Sequence, residues 1–238
     1  MKLAKFRPSS TTASFALAFL LLATRPTWAQ ESFKVEKIKD GPPSSLAAPI
    51  KEAVKGPGYR VLDDQGKPLV ELWLRDGAPA TSKPSGPKGA ILFPVLTDGE
   101  LVGVAKFIGE GHDYRDQSIS PGVYTLRYLL QPINGDHLGT SETRDFVVLV
   151  PAAKDANLAP IVRKPLEERS AEAAGSSHPA VFLLREAPDK KVPAEPTMVH
   201  DDTLNTWGAV LGLPVKAPNE SKSVLMPIQV IVSGSKAA

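Results

Sequence analysis

The chain has 238 residues, with 28 Lys plus Arg against 26 Asp plus Glu, 23 prolines, 18 glycines and no cysteine. The absence of cysteine excludes a disulfide scaffold, a thiolate zinc centre, an iron–sulfur cluster, a cysteine nucleophile and a lipidated cysteine anchor. A formal charge of +2 gives no electrostatic reason to expect nucleic acid, and the Pro and Gly content argues against long helices.

The N-terminus carries Lys2, Lys5 and Arg7, then an apolar run of about eleven residues from Ala13 to Ala23, then Thr27-Trp28-Ala29 with small residues at both recognised positions. This is the pattern of a secretory signal peptide over residues 1–29, cleaved after Ala29; the run is too short for a membrane span, which takes about 20 residues. Losing Lys2, Lys5, Arg7 and Arg25 leaves 24 basic residues against 26 acidic ones, so the mature chain is expected to carry −2 and to reside in the periplasm or outside the cell. No transmembrane segment is expected after that cleavage.

Residues 30–57 read as an N-terminal extension containing a strand at 32–38 and a short helix. Leu46, Ile50 and Val54 recur every four residues after Ser44 and Ser45, either of which can cap it, and Gly56 ends it. From 58 to 238 short apolar runs alternate with Pro, Gly, Asp and Asn, the signature of strands and turns. Strands are predicted at 58–63 and 69–75, joined through Asp64-Gln65-Gly66. In the second of these Val70, Leu72 and Leu74 form an inward row, with Glu71, Trp73 and Arg75 outward. An outward Trp73 can stack on a sugar ring or a partner, or can belong to a second packing layer.

The stretch 76–89, with three prolines and three glycines, reads as a surface loop. Strands at 89–96 and 101–108 follow, with Asp98-Gly99 as a hairpin turn. The loop after them holds Glu110, His112, Asp113, Tyr114 and Asp116, with Tyr114 expected at the surface. The clearest strand is 122–131, where Tyr124, Leu126, Tyr128 and Leu130 form a buried face and Val123, Thr125, Arg127 and Gln131 a solvated one. Beyond it lies the richest polar cluster, 132–145, with Asn134, Asp136, His137, Glu142, Arg144 and Asp145. A carboxylate beside an imidazole suits a metal ligand or a general base, whereas an ordinary turn uses the same residues to bond its own amides.

The strand 146–150 is apolar on both faces. A helix is predicted from Pro165 to Gly175, and strands at 179–185, 204–213 and 224–232, the last holding Pro227 at an edge or a bulge. Residues 186–197 read as soft and irregular. His112 and His137 fall at opposite ends of one strand, so a shared metal is not expected, and His178 and His200 read as loop or capping residues. Together these elements predict a mainly β fold, an antiparallel β-sandwich with two short helices, with a β-barrel as the alternative.

The stretch 121–151, PGVYTLRYLLQPINGDHLGTSETRDFVVLVP, followed by Ser177-His178-Pro179-Ala180, resembles a group of secreted bacterial proteins sharing a PGVYTLRY strand, a QPxNGDHxGTS loop and an RDFxxLVP strand. The resemblance implies export and a β-rich domain and transfers no catalytic residue. The expected function is a non-enzymatic exported module that binds an envelope partner or a small ligand, with Asn134, Asp136, His137, Arg144 and Trp73 as contact candidates. One alternative is a hydrolytic or metal-assisted enzyme using Asp136 and His137 with Glu142 or Asp145; another is a structural envelope component. No cofactor is implied.

Overall fold

The computed structural model describes residues 32–133 and 141–234, which fall within one compact unit beginning at Glu31. Its strands are β1 (Lys34–Ile38), β2 (Gly58–Leu62), β3 (Pro68–Leu74), β4 (Ala78–Pro79), β5 (Leu101–Phe107), β6 (Gly111–His112), β7 (Ser118–Ile119), β8 (Gly122–Leu130), β9 (Asp145–Pro151), β10 (Val181–Arg185), β11 (Thr197–Asp201), β12 (Thr206–Lys216) and β13 (Val224–Ser233). Two helices, α1 (Ala48–Ala53) and α2 (Arg163–Ala173), complete the elements with a 3-10 turn at Ala152–Lys154.

Ten strands follow the order β1-β2-β3-β5-β8-β9-β10-β13-β12-β11, all antiparallel, and β4 adds a short parallel pairing to β12. Strand β10 is the bend: residues 181–183 pair with β9, while Leu184 and Arg185 pair with β13. The curl brings the two end strands together. Lys37 Nζ in β1 donates to the Ala194 carbonyl at 3.1 Å just ahead of β11, and the Phe33 ring lies 5.4 Å from Trp207. The result is a large curled sheet, mainly β as expected, which fits a sandwich or a half-barrel equally. Residues 34–57, expected as an extension, are built into it through β1 and α1.

The inward face holds Val70, Leu72, Phe107, Tyr124, Leu126, Tyr128, Leu149, Phe182, Leu211 and Val230 in one core. The outward face is covered as well, in three patches. Ile50 of α1 and its C-cap residue Val54 pack on Trp73, Leu101 and Val104; Leu166 of α2 packs near Leu129, Val148 and Val150; Tyr114 from the β6–β7 hairpin packs on Phe146, Leu183 and Ile231. A sheet covered on both sides needs no alternation, which is why residues 146–150 of β9 are all apolar.

This double covering overturns the solvated face predicted for β8. Arg127 and Thr125 are both 0 % exposed. The segment after the 3-10 turn crosses that face and places Asp155 against them: Arg127 Nε and Nη2 reach the two carboxylate oxygens at 2.8 and 2.7 Å. Nη1 donates to the carbonyls of Gly99 and Ala159, Nη2 also to that of Asn157, and Thr125 Oγ1 to Asp155 at 2.6 Å. All five guanidinium donors are used. Part of the outer face that the helices leave open carries a ladder of opposite charges, Glu36, Arg60, Glu71 and Lys106, in register across β1, β2, β3 and β5.

Other boundaries moved for local reasons. The strand expected at 89–96 is irregular, because Pro94 has no donor and the amides of Leu92 and Phe93 bond the Asp145 carboxylate at 2.7 and 2.9 Å. Phe93, Val95 and Leu96 nonetheless enter the core. Asp98-Gly99 therefore leads from this segment into β5 and forms no hairpin. Gly99, at φ +81, sits so close to Ile161 that a Cβ would lie 2.0 Å from the Ile161 carbonyl oxygen. Strand β11 was hidden in TMVHD, an edge segment that is exposed or half-buried throughout. Helix α1 has Ala47 at its N-cap with no side-chain cap, so neither Ser44 nor Ser45 serves, and α2 starts two residues before Pro165. Pro227 sits where β13 lacks its β10 partner, an edge position.

Candidate functional site

Of the residues singled out in the sequence, Asn134, Asp136 and His137 lie outside the described residues. What the structure does describe is the base of their loop. Arg144 donates from its backbone amide to the Ala90 carbonyl at 3.0 Å and from Nε to the Gln131 carbonyl at 2.8 Å, so its orientation is set by backbone. Asp145 is 0 % exposed and accepts from Leu92 N, Phe93 N and Tyr128 Oη, the last at 2.6 Å. Its carboxylate is occupied with pinning the 89–96 segment, which withdraws it from the metal-assisted or hydrolytic constellation. Glu142 is exposed.

Trp73 is corrected in the same way. It is 1 % exposed beneath α1, with Nε1 donating to the Asp40 carbonyl at 3.2 Å, so neither ring face is offered to a sugar or a partner. Tyr114, expected at the surface, is buried with its ring 6.0 Å from Phe146, and burial raises its phenol above the usual range. His178 is exposed in a turn built by Ser176, and His200 stacks on Trp207 with ring centroids 4.3 Å apart. Among the described residues no group of three or more His, Asp or Glu is placed to hold a metal ion.

A cavity of about 260 Å³ opens at the end of the curled sheet where the β2–β3 turn, the β6–β7 hairpin and the end of β13 gather. Phe33, Leu69, Phe182, Ile231 and Val232 give it apolar walls, and Asp63, His112, Asp113, Tyr114, Asp116, Ser233 and Gly234 complete it. Phe182 and Ile231 are each 1 % exposed, which makes them floor; His112 and Asp116 are exposed, which makes them rim. Two of the lining residues stand beside the start of β9, Tyr114 packing on Phe146 and Phe182 pairing with Val147.

The rim is stiff. Asp113, 3 % exposed, accepts from Arg115 N, Gln117 N, Gln117 Nε2 and Val181 N, tying the hairpin to β10. Asp116 adopts φ 62 and places a carboxylate oxygen 3.3 Å from His112 Nδ1. On the facing turn Asp63 Oδ1 accepts from Gln65 N and Lys67 N. Four of the twelve lining residues belong to the 109–116 cluster singled out in the sequence. Phe33, Asp63 and Val232 carried no signal, because only the curl of the sheet brings β1, the β2–β3 turn and β13 to that hairpin. Among the described residues no helix is long and apolar enough to cross a membrane. No protein-family model, curated protein or solved structure matches the chain.

Proposed function

We propose that this protein is an exported, non-enzymatic β domain of the bacterial envelope that binds a small ligand in the cavity at the β6–β7 end of its sheet. The observation that carries this reading is the cavity itself, with apolar walls and a few polar groups at its mouth, the general constitution of a small-molecule site. Binding is favoured over catalysis by the state of the buried carboxylates. Glu71 pairs with Arg60 and Lys106, Glu100 with Arg75, and Asp155 with Arg127, while Asp113 and Asp145 are spent mainly on backbone amides. A general base must reach the proton it takes, and these are committed elsewhere. Export is supported by the signal-like N-terminus and by the resemblance of residues 121–151 to secreted proteins.

The test is a thermal-shift screen of the chain from Gln30 to Ala238 against a broad panel of small metabolites, with Leu69→Trp as the cavity-filling control. A compound that raises the melting temperature of the native chain and not of Leu69→Trp is the expected result. A panel without any such compound overturns the reading. Export is tested separately, by finding Gln30 as the N-terminal residue of the chain recovered outside the cytoplasm.

A further inference from the structure

The charges around the cavity are one-sided. Its lining holds three carboxylates, one imidazole and neither Lys nor Arg. The three carboxylates differ in what they have left to give. Asp113 is saturated by four donors. Asp63 uses Oδ1 for its own turn, and Oδ2 has no partner among the described residues. Asp116 has only the exposed His112 ring beside it, at 3.3 Å. Two carboxylates with capacity to spare thus stand at the mouth of a pocket whose walls are Phe33, Leu69, Phe182 and Ile231.

Resting on the binding function proposed above, we infer that the ligand is a small organic cation: one ammonium or amidinium group on a compact apolar body. The body fills the space over Phe182 and the charge sits between Asp63 and Asp116. Charge complementarity selects this class. An anion would meet Asp63 and Asp116 with neither Lys nor Arg in the lining to offset them, and a neutral molecule would gain nothing from their charge. The volume of about 260 Å³ restricts the body to roughly one ring with a short chain, below the size of ordinary drug-like ligands. Asp63, held through Oδ1 by its own turn, needs little ordering when the cation arrives.

Three probes of one shape separate charge from fit: 2-phenylethylammonium, 2-phenylethanol and 3-phenylpropionate, titrated calorimetrically into the chain from Gln30 onward. The expected order is cation first, by up to about fivefold over the alcohol for each carboxylate engaged, with 3-phenylpropionate weakest. Raising the salt concentration should narrow the gap between cation and alcohol. Asp116→Asn and Asp63→Asn should each reduce that preference without changing the fold, because Asn tolerates the backbone of Asp116 and can accept the turn bonds of Asp63. Binding of the alcohol or the carboxylate as tightly as the cation overturns the inference and leaves the cavity reading intact. Binding of none of the three also overturns it, and the broad panel then judges the cavity by itself.

Discussion

Replacing Arg127 with Ala tests the central feature of the packing. Its guanidinium is fully buried, makes two bonds to Asp155 and three to the carbonyls of Gly99, Asn157 and Ala159. Alanine would strand the Asp155 carboxylate, 2 % exposed, with only the Thr125 hydroxyl as donor. Breaking one side of a buried pair costs about 3–5 kcal/mol. Against a total stability of roughly 5–15 kcal/mol this is a large share. With a urea slope of about 2–3 kcal/mol per molar, the unfolding midpoint should fall by about 1–2.5 M. Arg127→Lys should recover little, since an ammonium has three donors and no fork to match the carboxylate. Arg127→Met with Asp155→Leu should cost less than the two single changes added together, by about 2 kcal/mol, because neither charge is then left alone. A loss below about 0.5 kcal/mol for Arg127→Ala would refute the reasoning and restore a solvated face to β8.

Tyr128 donates to buried Asp145, and burial followed by that carboxylate pushes its phenol far above the usual range. The fold keeps the neutral form, so the stabilisation is complete below about pH 10 and declines above it as the unfolded chain ionises. Tyr128→Phe should lose about 1 kcal/mol at neutral pH and show a shallower decline above pH 10 in urea titrations; parallel curves would contradict this. For Glu71, burial pulls the carboxyl up, but hydrogen bonds from Arg60 and Lys106 outweigh it and hold the group below its ordinary range. Its contribution is present above about pH 4.3 and lost as pH falls through the lowered value. Glu71→Gln should therefore be less stable than the native chain at pH 7, with the gap closing in acid; a gap independent of pH would exclude the role. Gly99→Ala places a Cβ 2.0 Å from the Ile161 carbonyl oxygen at φ +81 and should cost at least about 2 kcal/mol in melting experiments, while Gly86→Ala, with open space around it, should cost under about 1.

Much of the curled sheet was legible in the chain itself. Alternation marked β3, β8 and β13, because a strand with one face in the main core must repeat every second residue. The Leu46, Ile50 and Val54 spacing marked α1, and Asp64-Gln65-Gly66 marked the β2–β3 hairpin, whose chemistry is local. The signal-like pattern is likewise local, confined to residues 1–29, and the lack of cysteine anywhere in the chain excludes a disulfide cross-link. What the domain relies on in place of cross-links was not legible. Val123, Thr125, Arg127 and Gln131 look like a wet face in one dimension, and only the crossing of residues 155–162 makes Arg127 a buried cation with a full set of acceptors. Trp73 and Asp145 were ambiguous for the same reason, since a side chain's neighbours across the fold decide whether it is a contact or a brace. The cavity depends on tertiary structure most of all. His112 and Asp116 share a hairpin and were visible together, but Asp63, Phe182 and Val232 lie at great separations along the chain. They meet because a long antiparallel sheet bends at β10 and curls until its end strands β1 and β11 approach each other, and no local pattern encodes that curvature.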